Sequence, residues 1–83
     1  MSPEMETLDQ LLCEPLTLEV VRKLYPDPRR FTAGILAMLE SRDIAMLDTA
    51  GQPIPTWDRH RHLGDVTSDI RLAITDRGIK RIE

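Results

Sequence analysis

Ile70-Arg71-Leu72-Ala73-Ile74-Thr75-Asp76-Arg77-Gly78 lies near the end of an 83-residue chain, and its hydrophobic period changes partway through. Ile70, Leu72 and Ile74 alternate with Arg71, Ala73 and Thr75, the pattern of a strand with one face on a core. Thr75 then offers a hydroxyl to cap a last short helix, with Ile79 and Ile82 as its apolar contacts. A strand needs a partner, and Ile44 to Leu47 is a short apolar run suited to that role.

Between these two runs, Asp48-Thr49-Ala50-Gly51-Gln52 is turn chemistry: the Asp48 carboxylate can bond nearby backbone, and Gly51 can take a positive φ. Read with Leu47, the same letters spell the switch segment of small GTPases. That reading requires a phosphate-cradling Gly-x-x-x-x-Gly-Lys-Ser/Thr loop, and none of the glycines at 34, 51, 64 and 78 is followed by Lys. Nor does the chain have the strands of a nucleotide-binding sheet. Beyond the turn, Pro53 and Pro55 lack amide donors, so Ile54 to Arg61 is expected as an edge strand or a loop. Gly64-Asp65 and Thr67-Ser68-Asp69 mark a further turn.

Upstream the period is helical. Ser2-Pro3-Glu4 combines a hydroxyl N-cap, a first-turn proline and an acid at the positive end of the helix dipole. Met5, Leu8, Leu11 and Leu12 follow on one face, and Pro15 closes the segment. Thr17 can cap a second helix carrying Leu18, Val20, Val21 and Leu24, stopped at Tyr25-Pro26. Asp27-Pro28 opens a third helix, from about Pro28 to Ser41, with Phe31, Ile35, Leu36, Met38 and Leu39 as a broad apolar stripe. The order is helix, helix, helix, strand, irregular hairpin, strand, helix. Packing the hairpin across the three helices lets both bury their apolar faces, an α+β arrangement of one domain over residues 1–83.

This order resembles a winged helix-turn-helix domain, of the broad class that includes MarR- and PadR-like regulators. "PLTLEVVRKLYPDPRRFTAGILAMLESRDIAML" is similar to a positioning helix, turn, recognition helix and following strand. "LDTAGQPIPTWDRHRHLGDVTSD" stands where such folds place the wing. "IRLAITDRGIKRIE" resembles the return strand and the helix start after it. The resemblance implies a three-helix bundle, a small antiparallel β-hairpin wing and a short C-terminal helix. It implies duplex DNA as partner, with the third helix and the wing as contact elements.

The totals narrow the alternatives. Composition is ordinary for a globular protein, 41% hydrophobic and 30% charged. A chain this short buries only ~60–65% of its unfolded surface, so a homodimer or a protein partner could add stability. No apolar run approaches the ~20 residues needed to span a membrane, and the acidic N-terminus lacks the features of a signal peptide. The lone Cys13 permits no internal disulfide; a cytoplasmic location and a small buried thiol are the expectations. Net charge is −3, but residues 1–27 hold six acids and two bases while residues 28–83 hold eight acids and nine bases. A locally positive face is therefore permitted on an acidic protein.

Arg29 and Arg30 open the third helix, where they oppose its dipole unless an anion is near, and helix N-termini bind phosphate readily. Asp27 is a local competitor for either arginine. Thr32, Ala33, Ala37 and Glu40 form much of that helix's polar or small face, and Ala33 and Gly34 permit close approach to a groove or another helix. On a strand, Trp57, Arg59 and Arg61 would share one face, with Asp58, His60 and His62 on the other. The second set invites a metal, but i, i+2, i+4 side chains on a strand spread over ~13 Å and do not converge. Two guanidiniums suit phosphates or a minor groove. Trp57 is expected to cover the core edge beside the prolines.

No paired carboxylates, no activated Ser or Cys and no cofactor loop appear, so neither catalysis nor a cofactor is expected. The sequence thus points to a small transcriptional or replicon regulator that binds duplex DNA. Arg29, Arg30, Thr32 and Ala33 would approach the major groove, and Arg59, His60 and Arg61 would contact DNA from the wing. The alternative is a protein-interaction module of the same fold, consistent with the acidic first half and with no Lys between positions 23 and 80.

Overall fold

The three N-terminal helices each begin where a side chain satisfies the first free amides. In the computed structural model, which describes residues 2–65 and 69–83, Ser2 accepts from the Met5 N–H at 3.2 Å and opens helix α1, Pro3–Leu11. Thr17 accepts from the Val20 N–H at 3.4 Å at the head of α2, Leu18–Arg22. Asp27 accepts from the Arg30 N–H at 2.8 Å and opens α3, Pro28–Glu40. These caps are each worth about 1 kcal/mol and set the helix starts. Helix α1 ends at Leu11, ahead of Pro15, and its turn leaves Cys13 exposed rather than buried as expected.

Strand β2, Ile44–Leu47, pairs antiparallel with β3, Arg71–Ile74, in the register Ile44↔Ile74 to Leu47↔Arg71. A further strand, β1, Leu16–Thr17, pairs with the other side of β3, giving the sheet order β1-β3-β2. β1 escapes sequence reading because two residues carry no period and Thr17 already serves as a helix cap. Phe31, Ile35, Met38 and Leu39 of α3 join Leu8, Leu11, Leu18, Val21, Ile44, Met46 and Leu72 in one core, with Leu36 packed at its margin. The architecture is α+β: helices around a small three-stranded antiparallel sheet.

The turn after β2 forms as its residues dictate. Asp48 Oδ1 accepts from the Ala50 and Gln52 amides, each at 2.9 Å, and Gly51 has φ 81°. The chain then folds back along β2, with Leu47 bridged to Pro53 and the Ile54 N–H donating to the Met46 carbonyl at 2.8 Å. The expected edge strand stops there. Thr56–Asp58 form a 3-10 turn and Arg59–Leu63 form helix α4. The physical reason lies in spacing: Asp58 reaches Arg61 and His62 at i+3 and i+4, pairs that only a helix brings together. Residues 56–63 are thus helical in place of the expected edge strand or loop, and the expected turn at Thr67-Ser68 lies outside the described residues.

Helix α5, Asp76–Ile82, is locked to the α3–β2 junction. Thr75 Oγ1 accepts from the Gly78 N–H at 3.2 Å and donates to the Arg42 carbonyl at 2.6 Å. A Cβ on Gly78 would stand 2.2 Å from the Asp43 carbonyl oxygen, closer than any real contact. Alanine in an exposed helix gains ~1 kcal/mol over glycine, yet here the clash is with backbone that cannot swing aside. Gly78→Ala is therefore expected to destabilise the protein by about 1–3 kcal/mol. A thermal melt should show the midpoint fall by roughly 5–20 °C; an unchanged or raised midpoint would contradict this close approach.

Candidate nucleic-acid interface

The first two turns of α3 and helix α4 hold all the residues singled out for DNA contact, as two separate sets. On α3, Arg29, Arg30 and Ala33 are exposed and Thr32 is half-buried; Pro28, Arg29, Thr32, Ala33 and Leu36 line one shallow, mainly apolar depression. Ala37 and Glu40 continue the exposed stripe. Asp27 pairs with neither arginine side chain, because its carboxylate caps the helix through the Arg30 amide.

The two arginines differ. Arg30 Nη2 lies 2.5 Å from Glu4 Oε1, so its charge ties α3 to α1. Arg29 makes no ion pair among the described residues and is the free cation of this turn. Gly34 faces inward: a Cβ there would meet the Tyr25 ring at 2.9 Å, so its closeness serves an internal contact rather than a groove. Tyr25 is buried, meets Phe31 edge-on at 5.6 Å, and has its hydroxyl pKa raised by that burial.

On α4 the grouping expected for a strand is overturned. Asp58 receives Arg61 Nε and Nη2, both at 2.8 Å, and stands 3.1 Å from His62 Nε2. His60 is exposed on the same helix, and Arg59 is half-buried. The Arg61 hydrogen bonds hold the Asp58 carboxyl below the usual carboxylate range, against an opposing effect of desolvation and with a smaller lowering contribution from His62. Asp58 in turn raises the Arg61 guanidinium pKa. Among the described residues no group of three or more His, Cys, Asp or Glu converges as a metal site would require.

Trp57 does not cover the core edge. It is 82% exposed, and the buried Ile54 and Leu63 close that edge instead. The i+3 and i+4 spacing from Asp58 to Arg61 and His62, followed by apolar Leu63, is the sequence signal that could have revealed α4. No helix among the described residues is long and apolar enough to cross a membrane. The chain matches no protein-family model, no curated protein and no solved structure.

A carboxylate with a lowered folded-state pKa stabilises above its unfolded value and loses that contribution as pH falls through the folded one. The Asp58 cluster should therefore hold α4 together above about pH 4 and release it in more acidic solution. A carboxyl-carbon NMR titration should place the Asp58 midpoint below that of a free aspartate, and Arg61→Ala should move it back up. A midpoint that ignores Arg61→Ala would remove the assigned cause.

Proposed function

We propose that this chain is a winged-helix DNA-binding protein, a small non-enzymatic regulator of transcription or of a replicon acting in the cytoplasm. In this reading α2 and α3 form the helix-turn-helix, and the residues between β2 and β3 form the wing, built around α4 rather than around a plain hairpin. The observation that carries the reading is the strand order β1-β3-β2. The strand between α1 and α2 closes onto the return strand, which supports the helices from behind and leaves the first turn of α3 open to solvent with Arg29 on it. A helix-turn-helix reads the major groove with the N-terminal residues of its second helix. Arg29, Thr32 and Ala33 would make that approach, and Arg59, His60 and Arg61 would meet phosphates or the minor groove. Arg30 and Arg61 contribute less than their type suggests, since Glu4 and Asp58 already hold them.

Titration of a labelled duplex at low salt tests the reading. Binding should weaken as salt rises, and Arg29→Ala should cost about 1–3 kcal/mol if it reaches a base edge, or reduce the salt slope by about one if it meets a phosphate. Absence of binding at tens of micromolar protein, with no effect of Arg59→Ala/Arg61→Ala, would end it.

A second reading, a protein-interaction module of the same fold, draws on a specific observation. Arg30 and Arg61 are both neutralised within the chain, while the acidic first half exposes Leu12 and Val20, at 46% and 41%. Capture of a protein partner that survives salt and nuclease would favour it.

A further inference from the structure

Trp57 is the only tryptophan of the chain and the most exposed of its large apolar side chains among the described residues. Its segment is anchored on both sides, because Ile54 and Leu63 are buried in the core and the Ile54 N–H donates to the Met46 carbonyl. Between the anchors, Pro55 sits at φ −59° and leads into the 3-10 turn that carries the indole. An aromatic ring held on such a frame has few rotamers to lose when something covers it.

The charges beside it select the cover. From Thr56 to Leu63 the chain carries Arg59 and Arg61 against a single carboxylate, Asp58, which already engages Arg61 and His62; the surplus positive charge is that of the half-buried Arg59, with exposed His60 beside it. A lipid surface takes an amphipathic helix through a row of apolar anchors, and here there is one. A polyanion fits the cations, and an unpaired nucleotide fits the ring as well. Its base has a free face to stack on an indole, while a neighbouring phosphate can meet Arg59 and the exposed His60. A base inside a duplex is already stacked on both sides and offers no such face.

We propose that Trp57, flanked by Arg59, His60 and Arg61, is a stacking site for an unpaired nucleotide. The chain then prefers DNA that carries a single-stranded segment beside a duplex over fully paired DNA. The duplex half of this preference rests on the DNA-binding reading above; the stacking half rests on α4 and the turn before it. Because every base has a π face, the site is indifferent to sequence.

The single tryptophan makes its own fluorescence the probe. The full chain is titrated with a blunt duplex, with the same duplex bearing a single-stranded tail, and with an oligothymidylate of about 15 nucleotides, while anisotropy of labelled DNA reports affinity. Trp57 emission should be quenched by the tailed duplex and the oligothymidylate, and the tailed duplex should bind about tenfold tighter than the blunt one. Trp57→Ala should weaken tailed-duplex binding about fivefold to a hundredfold and leave the blunt duplex unaffected, whereas Trp57→Phe keeps most of the preference. Circular dichroism should show both variants folded, as expected for an exposed side chain.

Equal binding of tailed and blunt duplexes with unchanged emission overturns the stacking site and leaves the duplex reading intact. Quenching by oligothymidylate without any duplex binding overturns the duplex reading and upholds the stacking site. Quenching by no DNA at all overturns the proposal and leaves the indole to a protein partner.

Discussion

The main chain at Asp43 is the point on which the other elements depend. Helix α3 ends with the Arg42 amide bonded to Leu39 and the Asp43 amide bonded to Met38, a closure that places Arg42 at φ 66°. That is a Schellman termination, and it turns the chain straight into β2. The Asp43 carbonyl then accepts the Thr75 amide and hydroxyl, both at 3.0 Å, and passes over Gly78 with no room for a methyl group. The buried Asp43 carboxylate accepts from Ser41 Oγ at 2.9 Å and pairs with Arg81 Nε at 2.6 Å. One residue thereby joins the end of α3, the first pair of the β2–β3 ladder and the docking of α5. Arg81 is half exposed but its partner carboxylate is buried, so the ion pair both orients α5 and keeps Asp43 from standing as an uncompensated buried charge. The fixed quantity is the backbone approach.

Because α3 is held from its C-terminal end, its N-terminal end is defined by what α1 supplies. Glu4 holds the Arg30 guanidinium, Thr7 donates to the Pro3 carbonyl at 2.7 Å and lies 3.4 Å from the Tyr25 hydroxyl, and the Tyr25 ring fills the space over Gly34. This clamp uses a residue type that the sequence presents as a nucleic-acid contact. The same economy operates on α4, where Asp58 takes up Arg61 and His62. Arg30 and Arg61 are thereby engaged within the chain, while Arg29 remains exposed on α3. A protein with net charge −3 would then rely on contact geometry more than on long-range attraction.

What could be read from the residues was decided by how local the signal was. Ser2, Thr17, Asp27 and Thr75 cap helices through bonds three residues away, and each acts where its sequence context indicates. Asp48 and Gly51 likewise specify their turn within five residues. β1 could not be read in this way, since the partner that makes it a strand, β3, is more than fifty residues away in the chain. α4 was hidden for a different reason. Pro53 and Pro55 correctly forbid a central strand, but five residues are too few for a helical period to declare itself. Its evidence is instead the spacing of charged side chains around Asp58. The outward position of Trp57 follows from that helix, so a ring expected at the core edge stands in solvent.

Small β-sheets are hazardous at their edges, where unpaired amides and carbonyls can recruit a strand from another molecule. Here both flanks of the sheet are blunted. β1 offers only two residues, and the outer side of β2 is occupied by Pro53, which has no amide to donate, and by Ile54, whose amide is already committed to Met46. The fold-back after Gly51 therefore protects against sheet-mediated aggregation and strand exchange.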